Sequence, residues 1–212
     1  MSNPPGNSFT RTGIIFVVSA PSGAGKTTLC NNLRQTSDFV YSVSCTTRKM
    51  RAGEEHGKDY YFISHDEFQA KIRAVEFLEY AEVHGNFYGT LKEQVVEHIL
   101  VGTDVLLDID VAGARQIRAC EDELIRQALV DVFIMPPTVQ ELEKRLRKRA
   151  TETEEQIRVR IDNAAAEMPY WQEYRYTILS ETMEEDLTKF RAVMRAERYR
   201  SIRLRQAGKT SL

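Results

Sequence analysis

The stretch "IIFVVSAPSGAGKTTL", residues 14–29, decides the fold of this chain. It opens on an apolar run, residues 14–18, and passes through a glycine-rich turn into helical sequence at residues 26–34. A buried strand that leads directly into a helix is typical of a βα unit in a parallel sheet. Apolar runs that are each followed by helical sequence predict further parallel strands at residues 104–110, 129–135 and 176–179. The sequence therefore predicts an α/β fold with a parallel core sheet.

The turn itself, "APSGAGKT" at residues 20–27, matches the phosphate-loop pattern GxxxxGK[ST] with Ala20 in place of the first glycine. Gly23 and Gly25 allow a turn so tight that successive amide N–H groups converge on one anion. We expect Lys26 to reach the β- and γ-phosphates of ATP or GTP and the Thr27 hydroxyl to contact Mg²⁺. A plain glycine turn with a chance Lys-Thr is the alternative, and the flanking strand and helix argue against it. The predicted ATP-binding residues are Ala20, Pro21, Ser22, Gly23, Ala24, Gly25, Lys26, Thr27 and Thr28.

The composition excludes several classes of protein. The chain has 212 residues, 42% of them apolar, which suffices for one domain or a core with insertions. Its formal net charge of −2 creates no global field for nucleic acid or an anionic membrane. No apolar stretch approaches a membrane span or a secretory signal, and Cys30, Cys45 and Cys120 lack metal-ligand spacing. We expect a cytoplasmic protein with reduced thiols that binds neither nucleic acid nor membranes.

Three zones interrupt the βα pattern. Residues 1–12 are predicted to be flexible, and residues 37–90 change to short, polar, aromatic-rich segments that suit a small antiparallel or mixed insertion. The core then comprises residues 13–36 and 91–212. Within it, residues 144–158 switch abruptly from basic to acidic between two helical patterns and are predicted to form a flap.

A second anion site is predicted in "SVSCTTRKMRAGEEHGKDYYF", residues 42–62. Arg48 and Arg51 lie three residues apart, follow hydroxyl residues and precede Tyr60. Two guanidinium forks and a phenol suit one phosphate group. The alternative is a pair of solvated loop arginines.

This segment closely resembles the signature TTRxxRxGExxGxxYxF of guanylate kinases, and the resemblance extends from about residue 14 to residue 195. The matching residues are Thr46, Thr47, Arg48, Arg51, Gly53, Glu54, Gly57, Tyr60 and Phe62. The resemblance implies a P-loop three-layer fold with a parallel core sheet, a GMP-binding insertion at residues 37–90 and a helical lid near residues 144–158. It implies the reaction of ATP with GMP to give ADP and GDP, with Mg²⁺ bound alongside ATP.

The resemblance also assigns individual residues. It places the acceptor phosphate against Arg48, Arg51, Tyr60 and Tyr88, and the guanine against Ser44, Glu79, Thr90 and Asp108. It assigns to a lid that closes over ATP the arginines Arg145, Arg149 and Arg160, and it makes Asp110 a candidate for outer-shell contact with magnesium. The expected catalytic set is Lys26, Arg48, Arg145, Arg149 and Arg160.

The chemistry of guanine fits the assigned carboxylates. Its pairing edge presents donors at N1 and N2 and an acceptor at O6. Glu79 and Asp108 can accept those protons, while the hydroxyl of Ser44 or Thr90 donates toward O6. Adenine would leave these groups mismatched, which discriminates by ~10⁴ or more. The alternatives are a strand-surface role for Glu79 and helix capping for Asp108 and Asp110.

Other interpretations of the same residues stay open. The basic run at residues 144–149 also suits a solvated helix face or an RNA-binding patch. A guanylate-kinase-like interaction module without catalysis and a kinase for AMP, dTMP or UMP are the alternative functions. Four residues depart from the family pattern without removing a charge: Met50, Ala112, Ala150 and Ser180. The sequence leaves a monomer and a homo-oligomer equally open.

Overall fold

The computed structural model describes residues 9–148 and 153–206. In these ranges the strands are β1 (Phe9–Arg11), β2 (Ile15–Ser19), β3 (Val40–Tyr41), β4 (Cys45–Thr46), β5 (Tyr61–Phe62), β6 (Phe77–Val83), β7 (Asn86–Leu91), β8 (Val105–Asp108), β9 (Leu129–Met135), β10 (Tyr176–Leu179) and β11 (Leu204–Gln206). The helices there are α1 (Lys26–Arg34), α2 (His65–Arg73), α3 (Lys92–Leu100), α4 (Val111–Arg118), α5 (Glu123–Ala128), α6 (Val139–Lys148), α7 (Glu154–Glu167) and α8 (Met183–Arg198).

The core sheet has the strand order β10-β9-β2-β8-β3, and all four neighbouring pairs are parallel. This confirms the predicted parallel sheet. Strands β9 and β10 begin and end where the sequence predicts, whereas β2 lies one residue later than its apolar run. Strand β8 is shorter than the predicted strand at residues 104–110, because Asp110 already caps the next helix.

Helices cover both faces of this sheet, as the alternation along β2 requires. Ile14, Phe16 and Val18 pack on one face with residues of α1 and α8. Ile15 and Val17 pack on the other face with residues of α3, α4 and α5. Successive side chains of a strand point to opposite faces, so one apolar run serves two helical layers. The predicted three-layer fold is therefore confirmed.

The insertion contains a second sheet with the order β5-β4-β7-β6. Its β4–β5 pair is parallel and its β4–β7 and β6–β7 pairs are antiparallel, as expected for a mixed insertion. Phe68 of α2 stacks on Phe77 with ring centroids 4.3 Å apart, and on Phe87 at 5.3 Å. The insertion also contacts the core, since Gln116 of α4 accepts from the Tyr80 amide and donates to the Tyr80 carbonyl.

The predicted flap at residues 144–158 includes the end of helix α6 and the start of helix α7. Leu142 and Leu146 of α6 pack with Ile157 and Ala164 of α7 in a small apolar cluster of their own. Helix α7 begins at a capping box, in which Thr153 and Gln156 satisfy each other's backbone amides. Arg149 and Ala150, between the two helices, lie outside the described residues.

A two-stranded antiparallel sheet joins β1 to β11. Its first strand falls in residues 9–11, which the sequence analysis expects to be flexible, so the structure differs from the expectation there. The Arg11 guanidinium donates to the buried Asp104 carboxylate, which Arg198 also contacts at 2.6 Å. These bonds order a segment whose own sequence carries no strand pattern.

The insertion boundaries at residues 36 and 90 stay predictions.

Candidate active site

The glycine-rich turn connects β2 to α1 and forms a cavity at the carboxyl edge of the core sheet. Gly23 and Gly25 have φ angles of 88° and 103°, which explains why glycine stands at both positions. Gly25 is the N-cap of α1, and in the described chain no side chain caps that helix. Its first amides are therefore free to bind an anion, as at other helix N-termini.

Most of the predicted ATP-binding residues line this cavity. In the described structure the two exceptions are Ala24 and Thr28, which are not part of the lining. Ala24 is buried, whereas Thr28 is exposed on α1. The lining residues are Ala20, Pro21, Ser22, Gly23, Gly25, Lys26, Thr27, Arg160 and Glu167.

A second cavity of about 500 Å³ lies between the core sheet and the insertion. Its lining includes four of the predicted GMP-binding residues: Ser44, Tyr60, Thr90 and Asp108. The other four, Arg48, Arg51, Glu79 and Tyr88, are outside that lining in the described structure. Of these, Glu79 bonds to Thr90, and Tyr88 lies 6.0 Å from Tyr60 between ring centroids.

The two cavities meet at one ion pair. Lys26 Nζ lies 2.7 Å from Asp108 Oδ1 and donates to the Ile109 carbonyl at 2.9 Å. Lys26 lines the glycine-rich cavity, whereas Asp108 and Ile109 line the second one. Parallel strands β2 and β8 end side by side, and this is why residues 82 positions apart converge here.

Glu79 is bonded to Thr90, which lines the second cavity. They face each other across β6 and β7, and the Thr90 hydroxyl donates to Glu79 Oε1 at 2.6 Å. Glu79 is only 7% exposed, and this burial raises the pKa of its carboxyl. Its other oxygen lies close to α4, where a Cβ on Gly113 would come within 3.0 Å of it. The strand-surface alternative for Glu79 is therefore wrong.

Arg48 lies next to the second cavity, in contact with Tyr60 and Glu54 of its lining. The Arg48 guanidinium carbon lies 5.4 Å from the Tyr60 ring centroid and 5.6 Å from that of Phe62. Glu54 forms an ion pair with Arg48 at 2.8 Å, and the exposed Arg51 follows in the same loop. The Arg48 side chain is therefore fixed by Glu54 and the two rings, whereas the Arg51 side chain is exposed to solvent.

The lid arginines contact the core from two sides. Arg145 of α6 donates to the Ser180 hydroxyl at 3.0 Å and to the Glu181 carbonyl at 3.2 Å. Arg160 of α7 donates to the Ser22 hydroxyl at 2.8 Å, inside the glycine-rich turn. Ser180, one of the departures from the family pattern, is buried and also donates to Asp186. The predicted Arg149 lies outside the described residues.

The residues near Lys26 fit a magnesium ion bound mainly through phosphate and water. In the described ranges, no group of three or more His, Cys, Asp or Glu residues forms a metal cluster. Mg²⁺ is commonly held by one or two protein oxygens together with substrate phosphates. Thr27 is exposed in the first cavity, and Asp110 caps α4 through one oxygen that accepts from Gly113 N at 2.7 Å. The helix-cap alternative is therefore confirmed for Asp110, and its role toward magnesium stays a prediction.

Two carboxylates at the site were missed by the sequence analysis. Glu54 was quoted with the arginine motif but given no role, although it bonds directly to Arg48. Glu167 of α7 accepts from the Ser22 amide at 3.3 Å, and burial raises the pKa of its carboxyl. Spacing to Arg160 on the same helix is the one signal that would have pointed to Glu167. Ser42 was also overlooked; its hydroxyl is buried without a hydrogen-bond partner in the described structure.

Among the described helices, none has both the length and the hydrophobicity needed to span a membrane. The three cysteines, Cys30, Cys45 and Cys120, are free thiols. Burial raises the pKa of Cys30 to about 12 and that of Cys45 to about 11, so both are protonated at neutral pH.

Comparison with known proteins gives a consistent result. The family model described as guanylate kinase matches residues 12–197. Proteins named guanylate kinase from Escherichia coli (strain K12) and Maricaulis maris are 45% and 46% identical to this chain. The alignments cover 92% and 91% of this chain and 93% and 87% of those proteins. A crystal structure of guanylate kinase from Anaplasma phagocytophilum superimposes with a TM-score of 0.71 at 35% identity, covering 93% of this chain and 92% of that one.

Proposed function

This chain belongs to the guanylate kinase family, and we propose that its two adjoining cavities hold ATP and GMP while a phosphoryl group passes between them. The enzyme transfers the γ-phosphoryl group of ATP to GMP and forms ADP and GDP. The observation that supports this use of the cavities is the Lys26–Asp108 pair, one partner in each cavity. ATP phosphates bound by the glycine-rich turn would then face the acceptor across Lys26.

On the ATP side, the amides of the turn and the Lys26 ammonium bind the phosphates. The residues assigned to ATP are those of the sequence prediction, residues 20–28. The Thr27 hydroxyl would contact Mg²⁺ and Asp110 would contact the outer shell of the ion, which when bound neutralises charge on the β- and γ-phosphates. The Asp108 carboxylate holds the Lys26 ammonium at the boundary between the cavities until an ATP phosphate replaces Asp108 as the partner of Lys26.

On the acceptor side, Glu79 and Asp108 accept from the N1 and N2 donors of guanine, and Ser44 donates to O6. Thr90 belongs to the same pocket but gives its single hydroxyl proton to Glu79. The Thr90–Glu79 bond supports this assignment, because it fixes the carboxylate before any nucleotide binds. Arg48, Arg51, Tyr60 and Tyr88 bind the phosphate of GMP.

The transfer needs little proton chemistry. A phosphate monoester with a second pKa near ~6 is already largely dianionic at pH 7, so GMP attacks without a general base. The main barrier is the approach of two anions and the charge on the moving group. Lys26, Arg48 and the lid arginines Arg145, Arg149 and Arg160 lower that barrier by position and charge. Closure of α6 and α7 over ATP excludes water, which would otherwise take the phosphoryl group.

The proposal places this reaction in the cytoplasm, the compartment where three unpaired thiols stay reduced. A non-catalytic interaction module is the alternative function. The structure favours the enzyme over it, because a module has no need of a lysine positioned between two cavities.

A nucleotide panel tests the proposal. The protein is incubated with Mg-ATP and, in separate reactions, GMP, AMP, UMP or dTMP, and the diphosphate products are quantified. We expect GMP to be the preferred acceptor by ~10⁴-fold or more over AMP. Lys26→Ala should lower turnover strongly because it removes a phosphate-binding charge. A preference for AMP would overturn the guanine assignment, and no turnover with any acceptor would favour the module.

A further inference from the structure

A carboxylate lies next to the position proposed for the phosphate of GMP. Glu54 lines the acceptor cavity together with Tyr60 and Lys58. It is ionised, because the Arg48 guanidinium and the Arg51 amide lower the pKa of its carboxyl to about 2. A negative charge beside a phosphate dianion opposes binding. The hydrogen bonds of Glu54 explain why a carboxylate is present at this position.

Glu54 connects both arginines of the motif. Arg48 Nη1 donates to its Oε2 at 3.0 Å and Arg48 Nη2 donates to its Oε1 at 2.8 Å, which is a two-pronged fork. The Arg51 amide donates to Oε2 at 2.7 Å, and the Glu54 amide donates back to the Arg51 carbonyl at 3.2 Å. Gly53, with φ of 88°, makes this tight turn possible.

These bonds restrict how Arg48 can meet a ligand. A guanidinium has five N–H donors in one plane. Two are used by Glu54 and a third by the Lys49 carbonyl, which accepts from Nη1 at 2.8 Å. Tyr60 and Phe62 lie 5.4 and 5.6 Å away between ring centroid and guanidinium carbon. The plane of Arg48 is therefore fixed before GMP arrives, and the phosphate meets the donors that remain.

We propose that Glu54 is a positioning residue for GMP, acting through Arg48 rather than on the nucleotide itself. It fixes the guanidinium that binds the acceptor phosphate, and this orientation outweighs the repulsion between carboxylate and phosphate. This inference rests on the proposed role of Arg48. It has a sharp alternative, in which Glu54 is a competing anion whose removal would tighten GMP binding.

The test compares a ligand that has the phosphate with one that lacks it. Dissociation constants of GMP and of guanosine are measured by calorimetry for the wild type and for Glu54→Gln. We expect Glu54→Gln to weaken GMP binding about tenfold, the loss of one charged hydrogen bond, and to leave guanosine binding and the KM for ATP unchanged. The control is Glu55→Gln, whose exposed side chain pairs with Lys58 at 3.4 Å and should leave all three values unchanged.

A second variant separates position from charge. Glu54→Asp keeps the negative charge but shortens the side chain, so the fork to Arg48 is lost. We expect weaker GMP binding here as well, whereas a competing anion would predict the wild-type value. Retained guanosine binding shows that each variant is folded around its base pocket.

A double-mutant cycle shows whether the effect passes through Arg48. In an Arg48→Ala background, Glu54→Gln should change the dissociation constant of GMP by less than about twofold. Equal effects in both backgrounds, or tighter or unchanged GMP binding in Glu54→Gln alone, would overturn the inference. Wild-type protein that fails to phosphorylate GMP would instead overturn the proposed function, so the two failures are distinguishable.

Discussion

Individual residues at this site combine recognition with a cost in stability, and Glu79 is the clearest case. Its carboxylate is buried, bonded to Thr90, and held against the start of α4. Burial disfavours its ionised form, which is the form that accepts protons from guanine. Glutamine has nearly the same shape but no charge. A single substitution therefore separates the two consequences.

The first prediction concerns nucleotide choice. Glu79→Gln places an amide where guanine donors bind, so GMP loses a charged partner while AMP gains a group that can donate to it. We expect the ratio of kcat/KM for GMP over AMP to fall by about tenfold or more, with the KM for ATP unchanged. Steady-state kinetics with both acceptors measures this. An unchanged ratio would remove Glu79 from base recognition.

The second prediction concerns the pH dependence of stability. Burial raises the pKa of Glu79 above its ordinary value near 4.5. At pH values between the unfolded and the folded pKa, the folded chain therefore binds more protons than the unfolded chain. Wild-type stability is therefore favoured below pH 4.5 and is lost as pH rises through the folded pKa. Thermal melting should show Glu79→Gln more stable than wild type at pH 7, with the gap closing as pH approaches 4.5. Glu82→Gln, exposed on the same strand, is the control.

The sequence gives candidates for the site where residues of fitting chemistry lie close together in the chain. Lys26 follows its glycines directly, and Arg48, Arg51 and Tyr60 share one loop. Glu54 escaped assignment because a carboxylate beside a phosphate is unfavourable on charge alone. Glu167 escaped because it lies 145 residues from Ser22, and only tertiary packing brings the two together.

At the scale of elements, the glycine-rich turn and helix α6 lie close together. A Cβ on Gly23 would lie 2.8 Å from the Leu146 Cδ2 and 3.0 Å from the Leu142 Cδ1. Both leucines belong to the apolar cluster that joins α6 to α7. Helix α6 can therefore pack against the turn only because Gly23 has no side chain, and a side chain added there would push the two apart.

The third prediction tests that link. Gly23→Ala adds a left-handed backbone strain of about 1–3 kcal/mol and pushes on α6. We expect a lower melting temperature and a higher KM for ATP. Adding Leu146→Ala relieves the overlap but not the strain, so the double variant should lose less stability than the sum of the single losses. Strict additivity would show that the turn and α6 are not linked.

Sequence patterns predicted elements well where a run of residues has one periodicity. Helix α1 and strands β9 and β10 have their predicted bounds. The end of β8 was misplaced because Ile109 continues the apolar pattern past Asp108, whereas the strand ends at Asp108 and Asp110 already caps α4. The β1–β11 pair was not foreseen, because its short strands derive their pairing from contacts almost the full length of the chain apart.

For the whole molecule, the central feature is that the two cavities proposed for ATP and GMP adjoin at the Lys26–Asp108 pair. The sequence predicts each site separately from its own motif. That the two sites meet is implied only by the resemblance to guanylate kinases, because it depends on β2 and β8 ending side by side and on the insertion that covers the second cavity. Transfer between two bound nucleotides requires this placement.

A bisubstrate inhibitor tests this claim most directly. Adenosine and guanosine joined through five phosphates can bind both sites at once, and its dissociation constant is measured by calorimetry. We expect it to bind at least about 100-fold more tightly than GMP, because the second site is reached at high effective concentration. Lys26→Ala should weaken the inhibitor and ATP but not GMP, and Arg48→Ala should weaken the inhibitor and GMP but not ATP. An inhibitor that binds no more tightly than GMP, or that is unaffected by either substitution, would contradict the account.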